Sequence, residues 1–253
     1  MKKNLENLVL KAFALLGRDE KNKKKFVNFL LELEPSFYSE NFNAREEITG
    51  PLVDALYQDS TLINRQLSNG LQFSFPYSSK ISRDFVMSVK DRSDHVWEPQ
   101  TTKLLLKLVH GASHVLIGGA YFGDHAILLA NENRLTNCMV HCFEINALQF
   151  ACLKNNATIN NLTNLCFNQI GLWDVDGKNL KLEGEDALAH CTEVLYQDDT
   201  TFPTITIDSY AKSNDIDKIN LIVLDIEGGE LQALKGATSF LSLPQDTAPN
   251  IVF

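Results

Sequence analysis

The chain has 253 residues, 44% hydrophobic and 22% charged, enough for one large domain or for a domain with an extension. A formal net charge of −9 argues against nucleic acid as a partner, and no uncharged apolar run is long enough to span a membrane. Five cysteines (Cys138, Cys142, Cys152, Cys166 and Cys191) form no C-x-x-C pair, so free thiols are expected rather than a disulfide framework or a metal site.

The opening stretch MKKNLENLVLKAFALLG is interrupted by Lys11 and is amphipathic, unlike a secretion signal, so a cytoplasmic location is expected. Without such a signal, the glycosylation patterns at Asn156 and Asn161 are chance matches. Leu5, Leu8, Phe13 and Leu16 share one stripe and predict a helix over 4–17, with Gly17 as its stop. A second helix is predicted over 22–34, ended before Pro35. Residues 45–70 read as mixed helical and 71–96 as less regular, with FSFPYSS at 73–79 a loop or edge strand. Residues 1–94 are therefore expected to form a helical extension. It either shapes an acceptor pocket over the strand ends, or buries a sheet face, or pairs two subunits. Its first 30 residues are basic, eight Lys and Arg against three acids, and KNKKK at 21–25 reads as a solvated helix face.

From about residue 95 the pattern changes. TTKLLLKLVHG reads as a helix, HVLIGG as a strand, DHAILLANE as a helix and NCMVHCFEI as a strand. ALQFACLKNNATIN is then a helix and NLCFNQIGLW a strand, followed by an irregular acidic segment. INLIVLDI is a strongly apolar strand, GELQALKGATSFL a helix, and PNIVF the start of another strand. Apolar strands alternating with helices predict an α/β fold over 95–253, with a mostly parallel sheet covered on both faces. Because Phe253 falls inside an apparent interior strand, further strands or a fused domain are expected downstream.

Ligands of such sheets bind at the carboxyl ends of the strands. The turn after the first sheet strand is Gly118-Gly119-Ala120-Tyr121-Phe122-Gly123. A dinucleotide fingerprint ending at Gly123 needs a glycine at 120, where a pyrophosphate approaches the backbone. Ala120, followed by Tyr121 and Phe122, crowds that dianion but not a ligand without phosphate, such as S-adenosylmethionine. Glu144, after the second strand, is placed to accept the ribose diol of either ligand. LIVLDIEGGE carries a third group of candidates: Asp225 at a strand end, then Glu227, and Glu230 as a helix-start acid.

These stretches together resemble the FkbM-type family of S-adenosylmethionine-dependent methyltransferases. The likeness covers about 95–253 and rests on Gly119, Ala120 and Gly123, on Phe143, Glu144, Leu153, Asn156 and Asn160, on Asp208, and on Asp225, Glu227, Gly228, Glu230, Leu234 and Gly236. It implies a Rossmann-like class I methyltransferase fold. It also implies a cofactor site at Gly118, Gly119, Ala120, Tyr121, Phe122, Glu144, Ile145 and Asp225, with adenine against Ile170, Gly171 and Leu172. The family pattern has an acid, an asparagine, two prolines and a lysine where this chain has Ile117, Tyr121, Ile145, Ala147 and Val223. The methionine end of the cofactor is thus expected to be held differently.

Methyl transfer from a sulfonium is an in-line displacement that asks the protein mainly to position the acceptor. A hydroxyl acceptor needs a general base and a carboxylate does not. Asp225, Glu227 and His95 are the candidate bases. His125, at a helix start, reads instead as a neutral structural group. Trp97, Glu98 and Gln100 are expected to cross the cofactor mouth and touch the acceptor. Similar domains are fused ahead of prenyltransferases in cyanobactin pathways, which implies the C-terminal carboxylate of a linear peptide as acceptor. A sugar or polyketide hydroxyl is the alternative. A nicotinamide-linked oxidoreductase and a non-catalytic cofactor-binding domain are the competing readings from other classes. No metal is expected, and a homo-oligomer stays open.

Overall fold

A computed structural model describes residues 2–37, 42–60, 62–88, 97–184, 190–198 and 200–253. The chain divides into two compact units, Met1–Trp97 and Glu98–Phe253. In the first, helices α1 (Lys2–Leu16) and α2 (Glu20–Leu33) are followed by a 3-10 turn at Glu34–Phe37. A π turn at Arg45–Thr49 then runs into α3 (Gly50–Tyr57). Asp19 starts α2 by accepting the Asn22 backbone N–H at 2.7 Å, which satisfies one of the unpaired donors of a helix start.

The 45–70 stretch is not helical throughout. Strands β1 (Ile63–Gln66) and β2 (Gln72–Phe75) pair antiparallel, and α4 (Lys80–Val86) follows. The signal was local: Asn69-Gly70 is a hairpin turn, with Gly70 at φ 89° and Asn69 Oδ1 accepting the Leu71 N–H. Phe73 and Phe75, two apart and so on one face, both pack edge-on against Phe85.

In the second unit, α5 (Pro99–Leu108), β3 (His114–Gly118), α6 (Ala126–Glu132), β4 (Met139–Phe143), α7 (Ala147–Ile159) and β5 (Leu165–Asn168) alternate as expected. Further along come α8 (Ile207–Ser213), β10 (Leu221–Leu224), α9 (Glu230–Lys235), α10 (Thr238–Leu241) and β11 (Asn250–Val252). The five main strands are all parallel in the order β11-β10-β3-β4-β5. The chain leaves β3 toward β4 and β5, then returns to β10 on the other side. Right-handed crossovers in opposite directions place α6 and α7 on one face and α8 to α10 on the other. On the second face Leu116, Phe143, Ile222 and Leu224 bury against Ile207, Tyr210, Ala211, Ala233 and Phe240. The expected helix over 229–241 is broken into two, because the Asp208 carboxylate accepts the Ser239 N–H at 2.9 Å and starts α10 afresh.

The acidic segment after β5 is not irregular. β6 (Gly171–Leu172), β7 (Asn179–Glu183), β8 (His190–Val194) and β9 (Thr201–Ile205) form a second sheet in the order β6-β9-β7-β8. NLCFNQIGLW is therefore two strands in two sheets, divided at Gln169-Ile170. NLKLE in β7 alternates as a half-buried strand does, and its Leu180 is fully buried. Among the described residues no helix is long and apolar enough to cross a membrane.

Candidate cofactor cleft

Leu224, Gly118, Phe143 and Asn168 lie side by side in register at the carboxyl ends of β10, β3, β4 and β5. The residues that follow them, Asp225, Gly119, Glu144 and Gln169, therefore form one rim. Backbone bonds hold it: Gly119 and Ala120 both donate to the Phe143 carbonyl (3.0 and 2.9 Å), and Asp225 donates to that of Gly118 (3.0 Å). Gly119 sits at φ 74°, and a Cβ there would come 1.8 Å from the Asp225 carbonyl oxygen. Only glycine fits both the dihedral and the space.

Glu144 ties the turn from the side. Its Oε2 accepts the Tyr121 N–H at 2.8 Å and its Oε1 accepts the Asn146 N–H at 2.7 Å. From behind, the fully buried Asn156 donates to the Phe122 carbonyl at 2.8 Å, and Asn160 donates to that of Asn156. Tyr121 is at φ 47°, a left-handed conformation that costs an ordinary side chain about 1–2 kcal/mol and asparagine less. Tyr121→Asn is expected to raise the stability of the ligand-free protein by about 0.5–1 kcal/mol, read as a higher Tm. A lower Tm would show that the Tyr121–Phe122 ring contact outweighs the backbone strain.

The electrostatics are dominated by buried acids. Burial raises the Glu144 carboxyl to about 7, opposed by the backbone N–H groups of Asn146, Tyr121 and Ile145 and helped by the nearby Asp124 charge. Burial raises Asp124 further, to about 8, helped by the charges of Asp225 and Glu98. Asp225 stands at the exposed rim, yet lost hydration and then Glu227 and Glu98 raise it as well. Burial lowers His125 despite the pull of Glu98 and Asp225, so its imidazole is neutral at neutral pH. His125 Nε2 lies 3.2 Å from Thr102 Oγ1, and Nδ1 lies 3.5 Å from Asp124 Oδ2. Glu98, Asp225 and Glu227 thus gather negative charge where β3, β10 and the start of α5 meet, around an Asp124 that keeps its proton at neutral pH.

The other candidates are distributed as follows. Ile145 is half-buried and its carbonyl accepts from Gln169. Ile170 is half-buried against the core, while Gly171 and Leu172 are buried in β6. Gln100 is exposed in the first turn of α5. Trp97 is the half-buried last residue of the first unit, and His95 lies outside the described residues. Glu230 Oε1 accepts the Ile226 and Gly228 N–H groups, which commits it to the turn before α9. Glu227 closes that turn at φ 49°. Sequence reasoning missed Asp124 by assigning it to the helix that in fact starts at Ala126. It also missed Cys191 on β8, whose thiol is raised to about 11 by burial and by the Glu144 charge. The second sheet therefore reaches the Glu144 side of the cleft. Among the described residues no group of three or more His, Cys, Asp or Glu side chains could hold a metal ion.

The sequence profile of the methyltransferase FkbM domain matches residues 118–253, just over half of the chain. The chain belongs to the FkbM methyltransferase family. The match starts at Gly118, so the FkbM domain contains the glycine turn, Glu144, the second sheet and the Asp225–Glu230 turn. The first unit and α5 lie outside it. No curated protein matches the chain. Among solved structures, a protein of Pyrococcus horikoshii provisionally described as a transferase aligns with 11% identity and a TM-score of 0.30. That alignment covers 56% of this chain and 63% of the other, and it carries no argument about function.

Proposed function

We propose that the FkbM domain is a Rossmann-like class I methyltransferase that binds S-adenosylmethionine in this cleft, transfers its methyl group to oxygen and releases S-adenosylhomocysteine. The acidic lining carries the reading. A pyrophosphate would bring two negative charges beside Glu98, Asp225 and Glu227, whereas a sulfonium and an ammonium bring the opposite sign and also favour the ionised form of Asp124. The Glu144 oxygens already accept backbone N–H groups of Tyr121, Asn146 and Ile145, and the carboxylate's remaining acceptor capacity is open to the ribose hydroxyls. Ile170 and the β6 segment offer an apolar wall beside it for adenine. Calorimetric titration tests the reading. S-adenosylmethionine and S-adenosylhomocysteine are expected to bind and NADH is not; NADH binding would favour the oxidoreductase.

The raised carboxyls add a second test. Glu144 and Asp124 hold protons more tightly when folded than when unfolded. Their contribution to stability is full below the ordinary carboxylate range and is lost as pH rises through about 7 and about 8. The ligand-free protein is expected to lose on the order of 2 kcal/mol between roughly pH 6.5 and pH 9, measured by denaturation. A bound cation favours the ionised forms, so binding near pH 7.5 is expected to release protons. Calorimetry in two buffers of different ionisation enthalpy measures that release, and equal heats in both would count against a cation among these acids.

For the acceptor, the same charge disfavours the peptide carboxylate, which would enter the cleft as an anion, and favours a sugar or polyketide hydroxyl. Asp225 and Glu227 are then the bases within reach of the rim. Asp225→Asn or Glu227→Gln is expected to lower kcat by about 100-fold or more, measured at saturating S-adenosylmethionine so that any loss of cofactor affinity from the removed charge is kept apart. Full turnover in both variants would point back to a carboxylate acceptor and to the cyanobactin-type fusion. Mass spectrometry of candidate acceptors, read as a gain of one methylene, separates an active enzyme from a non-catalytic binding domain.

A further inference from the structure

We propose that Tyr210 and His141 are positioning residues for Glu144, acting through a hydrogen-bonded chain on the α8 face of the sheet. The chain starts at the half-buried His114, the first residue of β3. Its Nδ1 lies 2.9 Å from His141 Nε2, and the two rings stack at 5.2 Å. His141 Nδ1 lies 2.8 Å from the Tyr210 hydroxyl on α8. Asn168 Nδ2 donates to that hydroxyl and to the Cys142 carbonyl, both at 3.2 Å. Finally the Asn168 carbonyl accepts the Glu144 N–H at 3.1 Å. His141 and Tyr210 are each 5% exposed, beside a layer otherwise built of Leu, Ile, Phe and Ala.

The donors and acceptors fix one direction. Asn168 can only donate to the Tyr210 oxygen, so the hydroxyl proton goes to His141 Nδ1. His141 then donates from Nε2 to His114 Nδ1. Every proton in the chain is used in that order, whereas the reverse order leaves the buried Tyr210 hydroxyl proton without an acceptor in the chain. Burial together with the His114 charge lowers His141 to about 4, and burial lowers His114, so both rings stay neutral and the order holds at neutral pH. Asn168 is thus clamped at its side chain while its carbonyl holds the backbone from which Glu144 projects. A buried polar chain is a costly way to fill a core, and an apolar one would satisfy packing alone. What this chain adds is a fixed position for Asn168.

The proposal rests on the reading that Glu144 receives the ribose hydroxyls. Its test is the dissociation constant of S-adenosylhomocysteine from pH 6 to pH 9. Two carboxyls titrate there, Glu144 at about 7 and, facing it from the β3 turn, Asp124 at about 8, so the lower midpoint is that of Glu144; Cys191 faces it from β8. Tyr210 faces Cys142 and Cys166, both thiols held high by burial, so neither adds charge in this range. Tyr210→Phe is expected to weaken binding about tenfold at pH 8. It is also expected to shift the midpoint of the profile down from about 7 by roughly half a unit or more, as Glu144 regains water. His141→Leu leaves the same hydroxyl without its acceptor and should match it, and the double variant should be no worse than either single one. An unmoved midpoint overturns the proposal, whether affinity is unchanged or uniformly lower, because only loosening without repositioning would give that result. Glu144→Ala measured alongside separates the two failures. If it binds normally the ribose reading fails, and if it loses binding while Tyr210→Phe does not, only the chain's role fails.

Discussion

Glu144→Ala is expected to raise the dissociation constant of S-adenosylhomocysteine by about 100-fold or more at pH 8. Two bonds from ribose hydroxyls to an ionised carboxylate are lost, each of the charge-assisted kind worth roughly 1.5–3 kcal/mol. The substitution also frees the Tyr121 N–H that Oε2 holds at 2.8 Å, so the turn loses its lateral tie. Glu144→Gln separates these effects. One amide oxygen can replace one carboxylate oxygen but not both, and the amide nitrogen repels an N–H donor. The glutamine variant is expected to lose about tenfold in affinity and to gain stability at pH 8, since a buried charge with its pKa near 7 is gone. Lower stability together with unchanged affinity would make Glu144 a structural tie for the turn and would remove it from the cofactor site.

What the sequence disclosed depended on how much apolar side chain an element carries. β3, β4 and β10 are nearly continuous hydrophobic runs bounded by Gly, Asn or Asp, and their places in a parallel sheet follow from that alone. The rim positions Gly119, Glu144 and Asp225 were legible because strand ends are the sites where this architecture places ligands. β7 and β8 were not, since NLKLE and HCTEV are half polar and pair mainly with each other. The β1–β2 hairpin was hidden by a helical reading of 45–70, although Asn69-Gly70 marked its turn. Asp124 was invisible for a different reason. Its importance lies in burial and in the charges of Asp225 and Glu98, which come from sequence positions 101 and 26 residues away and meet it only in the fold. The histidine chain is of the same kind, since no spacing rule connects 114, 141, 168 and 210.

Gly119→Ala is expected to destabilise the second unit by about 3–5 kcal/mol, in the range that marks a steric or backbone fault rather than an ordinary surface change. Two costs combine. A left-handed φ of 74° costs alanine about 1–2 kcal/mol, and its Cβ would lie 1.8 Å from the Asp225 carbonyl oxygen. That oxygen belongs to backbone held by the Asp225 N–H bond to Gly118, so it cannot swing aside as a side-chain end would. Relief requires β3 and β10 to part at the rim, where Glu144 and the acids of the cleft are fixed. Gly228 supplies the control in the same unit, with φ 92° and nothing within 4 Å of the point a Cβ would occupy. Gly228→Ala should therefore show the dihedral cost alone, about 1 kcal/mol. With roughly 2–4 °C of Tm per kcal/mol at this size, the two variants should melt several degrees apart, with Gly119→Ala the lower. Equal melting temperatures would mean that the Gly119 turn relaxes freely, and a turn that soft could not hold the Asp225 carbonyl and the Tyr121 N–H in the positions on which the cleft depends.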